Sequence, residues 1–421
     1  MTTHKTDHRR SRAVPPADVV LLVAGVAFVG YNLRGAITSL PPLFPELAGR
    51  LHLSAATLSV LAAMPTACFG VVSSFAAWFG RRFGEERVLL GALVILTAGL
   101  LLRAAAPGAL LLPGTIGASS AIAVMNVLLS SLIKRRWPQR AGLLVGAYIT
   151  ALSLGAIVGS LGAVPLWDAS GGSVPLALGW LAAPAALAAV VWLPQSRYRT
   201  GGSASPVPAD PGRPSPRART ALPVYKHALA WQVTVFMGTQ SLLYYAALSW
   251  LPTIVRDRGA SAGDAGNLLA LMGAGNLLVS LIVPVLAQRM RSSVALVVPA
   301  TAALAAGLAG AVYAPLGSAP LWVLILGMGQ NATLSLAIFF TMARAPHPAA
   351  AASLSAFAQS VGYLLASCGP LGVGLLHSAT GNWNPPVAVL FGLQAVMLVA
   401  GVLAARPRVL PDEVPVTKHG P

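Results

Sequence analysis

The chain has 421 residues, 56% of them hydrophobic and only 9% charged, with a mean hydropathy of +0.73. A soluble globular domain carries about 25% charged residues. This composition excludes one and implies a polytopic membrane protein whose first partner is the lipid bilayer.

In chain order, residues 1–16 form a polar, basic tail with no short apolar core and cleavage site behind it, so a cytoplasmic tail is expected rather than a cleaved signal. Twelve apolar spans follow, at about 17–44, 54–79, 87–106, 109–133, 141–166, 173–193, 226–251, 264–287, 293–313, 319–343, 350–377 and 384–405. With the N-terminus inside, 23 Lys and Arg residues fall in cytoplasmic segments and only Arg50, Arg103, Arg256 and Arg258 fall in outside loops. The positive-inside rule then places both termini in the cytoplasm. The net charge of +17 is therefore a topology signal, and no nucleic-acid partner is expected.

The first span holds the most informative stretch, Tyr31-Asn32-Leu33-Arg34 followed by Thr38-Ser39-Leu40-Pro41-Pro42. Read as one apolar run to Phe44, it puts ten residues, about 15 Å of helix, between Arg34 and the end of the span, farther than an arginine snorkels. A charge at such depth costs at least ~2.5–3.5 kcal/mol unless it faces a wet cavity or a partner. Arg34 is thus a candidate solute anchor; the alternative is an arginine that ties helix ends together through backbone carbonyls. All eleven Asp and Glu residues fall in tails, loops or helix ends, leaving no buried carboxylate for a proton relay. A lone interior cation calls for a solute that brings its own negative charge or acceptor atoms.

Farther along, Cys68 and Cys368 differ in expected depth by seven residues, or ~10 Å of helix rise, whereas a disulfide needs Cα atoms within about 7 Å; two separate thiols are expected. The fifth span carries Gly142, Gly146, Gly155 and Gly159, two small-residue pairs suited to close helix packing. The long break between Leu193 and Leu222 is rich in Gly, Ser, Pro and Arg and reads as a solvated linker. The expected organisation is a tail over 1–16, a six-helix bundle over 17–193, a cytoplasmic linker over 194–225, a second bundle over 226–405 and a tail over 406–421. The halves echo each other: Pro42 and Pro252, each expected to close a helix, are 210 residues apart. Two such repeats with a site at their interface are a transporter architecture. The same offset carries Arg34 onto Tyr244, so Tyr244 or Tyr245 is expected to face it. Further polar side chains within the spans are Asn126, Tyr148, Asn276, Gln330, Asn331, Gln359, Ser360 and Tyr363. Each either lines the path or packs helix on helix through hydrogen bonds. Motifs for zinc proteases, serine hydrolases and P-loops are missing, so neither an enzyme nor an ATP-driven pump is expected, and no catalytic residue, cofactor or metal.

Asn32-Leu33-Arg34 with Thr38-Ser39 and the Pro-Pro turn, Ala151-Leu152-Ser153-Leu154-Gly155, Tyr245 to Pro252, and Ala358-Gln359-Ser360-Val361-Gly362-Tyr363-Leu364 resemble the cyanate and 2-nitroimidazole transporter family of the major facilitator superfamily. The resemblance spans nearly all of residues 17–405. It implies an all-α fold of twelve transmembrane helices in two pseudo-symmetric six-helix bundles, alternating access, and small anionic or nitrogen-rich heterocyclic solutes. Gly35 replaces the family's usual proline. Arg81-Arg82-Phe83-Gly84 resembles the superfamily's gating loop through Arg82 and Gly84 but lacks its aspartate, for which Glu85 or Glu86 would substitute. The expectation is a monomeric plasma-membrane transporter, secondary active or facilitated, whose solute meets Arg34, Asn32, Tyr244, Tyr245, Gln359, Tyr363, Asn126 and Tyr148. The alternatives are a drug–proton antiporter, whose glycine-rich motif Gly155 to Ser160 resembles except for Ser160 in place of proline, and a receptor that binds solute without moving it.

Overall fold

A computed structural model of the chain describes residues 16–136, 140–196, 224–280, 282–290 and 292–411. The described residues are helical, without a strand: α1 (Pro16–Thr38), α2 (Phe44–Leu51), α3 (Ala55–Phe83), α4 (Glu85–Ala105), α5 (Pro107–Arg136), α6 (Ala141–Ala169), α7 (Val174–Gly179), α8 (Ala182–Ser196), α9 (Ala228–Asp257), α10 (Ala262–Ser280), α11 (Ile282–Arg289), α12 (Val294–Tyr313), α13 (Ala319–Ala343), α14 (Pro348–Thr380) and α15 (Asn384–Ala404). Ten helical segments among them are long and apolar enough to cross a membrane, and α1 and α9 add two more long helices. Most of the 194–225 linker and of both tails lies outside the described residues.

Helices α1–α8 pack on one another and α9–α15 do the same, with matching neighbours: α1 on α6 as α9 on α14, and α4 on α5 as α12 on α13. The two bundles meet along α3 with α14 and α6 with α10. Each bundle thus presents the same face to the other, as a pseudo-twofold repeat requires.

Three segments depart from the sequence expectation. The first span is not one helix to Phe44. It stops at Thr38, because Pro41 and Pro42 lack the N–H groups a helix needs, and residues Pro41–Leu43 form a 3-10 turn before α2. Arg34 therefore lies one turn from a helix end, and its importance rests on its contacts rather than on ten residues of helix. In the second repeat the helix does not close at Pro252. That single proline is accommodated within α9, which continues to Asp257 and ends before Gly259 at φ +102°. The sixth span breaks into α7 and α8 just before Pro184, which has no N–H to bond the Trp180 carbonyl, and Arg103 caps the end of α7: its side chain is buried and its Nε donates to the Leu178 carbonyl at 3.0 Å. The residue expected in an outside loop is a buried cap.

Candidate functional site

The site is built on the fit of α1 against α6. A Cβ on Gly155 would overlap the Tyr31 carbonyl oxygen, and one on Gly159 would lie 2.6 Å from the Gly35 oxygen and the Thr38 hydroxyl. Only glycine allows the two backbones to approach this closely. Thr38 fastens the contact by donating to the Ala156 carbonyl at 2.9 Å. Of the expected small-residue pairs, Gly155 and Gly159 form this seam. Gly146 does not, having nothing within 4 Å of where a Cβ would stand, and the surroundings of Gly142 lie outside the described residues. The seam holds the last two turns of α1 rigid, so Arg34 projects from a fixed backbone.

Arg34 points across to the other bundle. Its Nη1 donates to the Tyr244 hydroxyl on α9, and its guanidinium carbon lies 5.0 Å from the Tyr244 ring centre and 5.9 Å from that of Tyr245. Cation–π contacts of this kind contribute about 0.5–2 kcal/mol each, more where water is excluded. The rings continue as a chain of near-perpendicular contacts: Tyr244 on Tyr245 at 5.0 Å, Tyr245 on Phe69 of α3 at 6.3 Å, and Phe69 on Tyr363 of α14 at 5.7 Å. Three helices, α3 of the first bundle and α9 and α14 of the second, thus contribute to one aromatic wall beside the cation on α1. Phe69, absent from the expected set, joins Tyr245 to Tyr363; a single apolar aromatic in a span gives no sequence signal. Among the described residues no carboxylate pairs with Arg34, and its hydrogen bond goes to a phenol rather than to a backbone carbonyl.

The other candidates separate into two groups. Tyr148 donates to the Asn126 side-chain oxygen at 2.6 Å, joining α6 to α5. Gln359 is exposed on α14, one turn from Tyr363, and donates to Ser355 at 2.9 Å. Asn32 sits elsewhere: it is 3% exposed, and its amide nitrogen donates to the Phe28 carbonyl at 2.8 Å and the Pro184 carbonyl at 3.2 Å. It ties α1 to α8. Gln330 is also buried in helix packing, with its backbone oxygen accepting from Gln240 at 3.2 Å, and Asn331 accepts from Ser335.

The loop between α3 and α4 has a clear local logic. Gly84 takes φ +89°, ψ +132°, a conformation that side chains disfavour, and it turns the chain directly into α4. Arg82 stacks against Trp78 and Phe83 at 5.9 and 5.8 Å, while Glu85 accepts from Ser131 of α5 at 3.3 Å. Glu85 therefore ties this loop into its own bundle. Replacing Gly84 by Ala should lower stability by about 1–3 kcal/mol, the usual cost of a side chain in such a backbone region. A reduced melting temperature in detergent, with the helical circular dichroism spectrum retained, is the expected reading.

A second contact joins the bundles about 18 Å farther along α9 from Tyr244, twelve residues of helix rise. Arg256 at the end of α9 and Glu46 in α2 form an ion pair with Nη1 2.6 Å from Oε1 and 2.8 Å from Oε2. Glu46 and Arg256 are 210 residues apart, as are Arg34 and Tyr244. Each pair thus consists of equivalent positions of the two repeats, and such positions can touch only at the pseudo-twofold axis. Phe44 against Trp250 at 5.8 Å, and Trp250 against Trp383 at 6.0 Å, pack the same end of the molecule.

The chain is similar to known proteins over most of its length. Residues 20–370 match the profile of the Major Facilitator Superfamily. The chain belongs to that superfamily. Within it, the chain is 34% identical to the 2-nitroimidazole transporter of Escherichia coli K12 over 389 residues, 92% of this chain and 96% of that protein. It is 29% identical to the cyanate transport protein CynX of the same organism over 360 residues, 85% of this chain and 90% of that protein. A solved bacterial homologue of the human lysosomal transporter Spinster, inward-facing and unoccupied, shares the fold with a TM-score of 0.71 at 16% identity, covering 93% of this chain and 96% of its own. The protein is a multi-pass membrane transporter of this superfamily and not an enzyme.

Proposed function

We propose that this transporter carries a small anionic or nitrogen-rich solute, cyanate-like or nitroimidazole-like, past Arg34 by alternating access. The observation that carries the reading is the Arg34 guanidinium set against Tyr244 and Tyr245 with no carboxylate partner among the described residues. A guanidinium offers a planar fork of donors that suits paired oxygens or ring nitrogens. The phenol hydroxyl can be exchanged for a solute acceptor at little cost, whereas a paired carboxylate would compete with an anion. Tyr245, Tyr363 and Phe69 add flat apolar faces, and Gln359, Tyr148 and Asn126 add polar groups along the route. The relatives named for nitroimidazole and cyanate transport support the same solute class. The protein works as a monomer in the plasma membrane.

The basic bias supports a cytoplasmic location for both termini and the 194–225 linker, which puts the end closed by Glu46 and Arg256 on the outer side. Cysteines introduced into the linker, in a variant without Cys68 and Cys368, should resist an impermeant thiol reagent in intact cells and react after permeabilisation. Labelling in intact cells would overturn the orientation.

Flux into proteoliposomes tests the function itself. Uptake of cyanate or 2-nitroimidazole should be saturable and exceed that of protein-free vesicles. Transport of organic cations only, driven by an opposed proton gradient, would instead mark a drug–proton antiporter. Binding without flux would mark a receptor.

A further inference from the structure

The membrane-facing side of the second bundle carries a groove that shares no residue with the Arg34 site. Its volume is about 700 Å³, within the roughly 300–1,000 Å³ typical of ligand clefts. It runs between α9 and α15, walled by Trp231, Val235, Val396 and Leu403, with the short side chains of Ala228 and Ala395 leaving it open. Along α15 it extends from Ala395 to Leu403, about 12 Å of helix rise, against a leaflet thickness of roughly 15 Å. Its size and lining suit one acyl chain.

The mouth of the groove is cationic. Lys226 precedes α9 by two residues, Arg406 and Arg408 follow α15, and all three are exposed. They are gathered by a separate small core in which Val224, Ala230, Leu354 and Leu410 pack together, folding the segment after α15 back onto the start of α9. Arg344 secures this fold by donating to the Ala404 and Ala405 carbonyls, and its own carbonyl accepts from the Leu410 amide at 2.9 Å. Trp231 donates to the Tyr225 carbonyl at 2.8 Å, holding the residues around Lys226 at the rim. Among the described residues of these two segments, 224–235 and 395–411, there is no Asp or Glu, and Asp412 and Glu413 lie outside the described residues. An apolar slot one leaflet deep ending in a cationic cluster is complementary to one molecule type.

We propose that this groove binds an anionic phospholipid, its acyl chain between α9 and α15 and its phosphate at Lys226, Arg406 and Arg408. Placing that lipid in the inner leaflet rests on the cytoplasmic orientation given above; binding at the groove does not. Each cation near an anionic headgroup contributes about fivefold in affinity, so engaging any two of the three gives a preference of roughly thirtyfold over a zwitterionic lipid.

Native mass spectrometry of the purified protein with phosphatidylglycerol and phosphatidylcholine reads this directly. The wild type should retain one more phosphatidylglycerol than the Ala228→Trp/Ala395→Trp variant, whose new rings fill the groove from exposed positions. Lys226→Gln/Arg406→Gln/Arg408→Gln should still bind lipid but lose the headgroup preference, with unchanged helical content. Equal retention by the wild type and the filled variant would overturn the proposal. So would equal binding of the two lipids by the wild type. A dimer that the tryptophans dissociate would assign the groove to a second copy of the chain instead. If the filled variant fails to fold, the glutamine variant decides through the headgroup preference alone.

Discussion

Replacing Arg34 by Gln should abolish transport while leaving the protein folded and inserted. The side chain reaches from α1 to the Tyr244 hydroxyl and the two tyrosine rings of α9, so it contributes to no helix seam within its own bundle. The α1 seam depends instead on Gly155, Gly159 and Thr38, all of which the variant retains. A hydrogen bond to a charged group contributes about 1.5–3 kcal/mol, so removing the guanidinium should weaken solute binding by roughly tenfold to a hundredfold. Arg34→Lys should recover only part of this, because it restores the charge without the planar fork. Tyr244→Phe should give a smaller loss, since it removes the phenol partner but keeps the ring beneath the cation. Equilibrium binding of cyanate or 2-nitroimidazole to purified protein, read beside its melting temperature, separates anchor from brace. A glutamine variant that expresses poorly or melts early, yet binds solute normally, would show that Arg34 only joins the bundles.

How far the sequence spoke for itself differs between elements. The helical fold and its two-bundle plan were legible because apolar runs of bilayer length and the residues that interrupt them are local signals. The 210-residue offset went further: from one faint proline match it brought Arg34 to Tyr244, a contact the structure contains. Applied to the loops, the same offset would have paired Glu46 with Arg256, which were read only as a helix-end acid and an outside base. What stayed hidden depends on three-dimensional packing. Asn32 adjoins Arg34 in the motif but points to the Phe28 and Pro184 carbonyls, because residues two apart on a helix face different directions. Arg103 looked like a loop residue, since Gly179 and Pro184 mark a break in the sixth span but give no sign of which side chain caps it. Phe69 is one phenylalanine among many until α3 and α14 are laid together.

The Glu46–Arg256 pair should govern which side of the transporter is open. It joins the bundles at the pseudo-twofold axis, at the end we place outside, where Phe44, Trp250 and Trp383 close over the path. Rocking the bundles apart at this end must separate the two charges. The Glu46 and Arg256 side chains are 17% and 23% exposed, between a surface pair, worth about 0.2–1 kcal/mol, and a buried pair, whose breakage costs about 3–5 kcal/mol. With solvent screening taken into account, about 1–2 kcal/mol is expected, a change of roughly fivefold to thirtyfold in the ratio of closed to open outer ends. Ser249 reports on this ratio: it is 4% exposed on α9, one turn from Tyr245 toward Arg256. In a background lacking Cys68 and Cys368, Ser249→Cys should react slowly with an impermeant thiol reagent added outside. Glu46→Gln or Arg256→Gln should raise that rate by the same fivefold to thirtyfold. The charge exchange Glu46→Arg with Arg256→Glu should bring it back toward the original value, because equivalent positions on a twofold axis can swap partners with little change of geometry. Solute affinity measured in detergent should change far less than in the Arg34 variants. An unchanged rate in both single variants would show that the aromatic packing alone holds the outer end shut, and an exchange variant as reactive as the single ones would show that the two charges act separately.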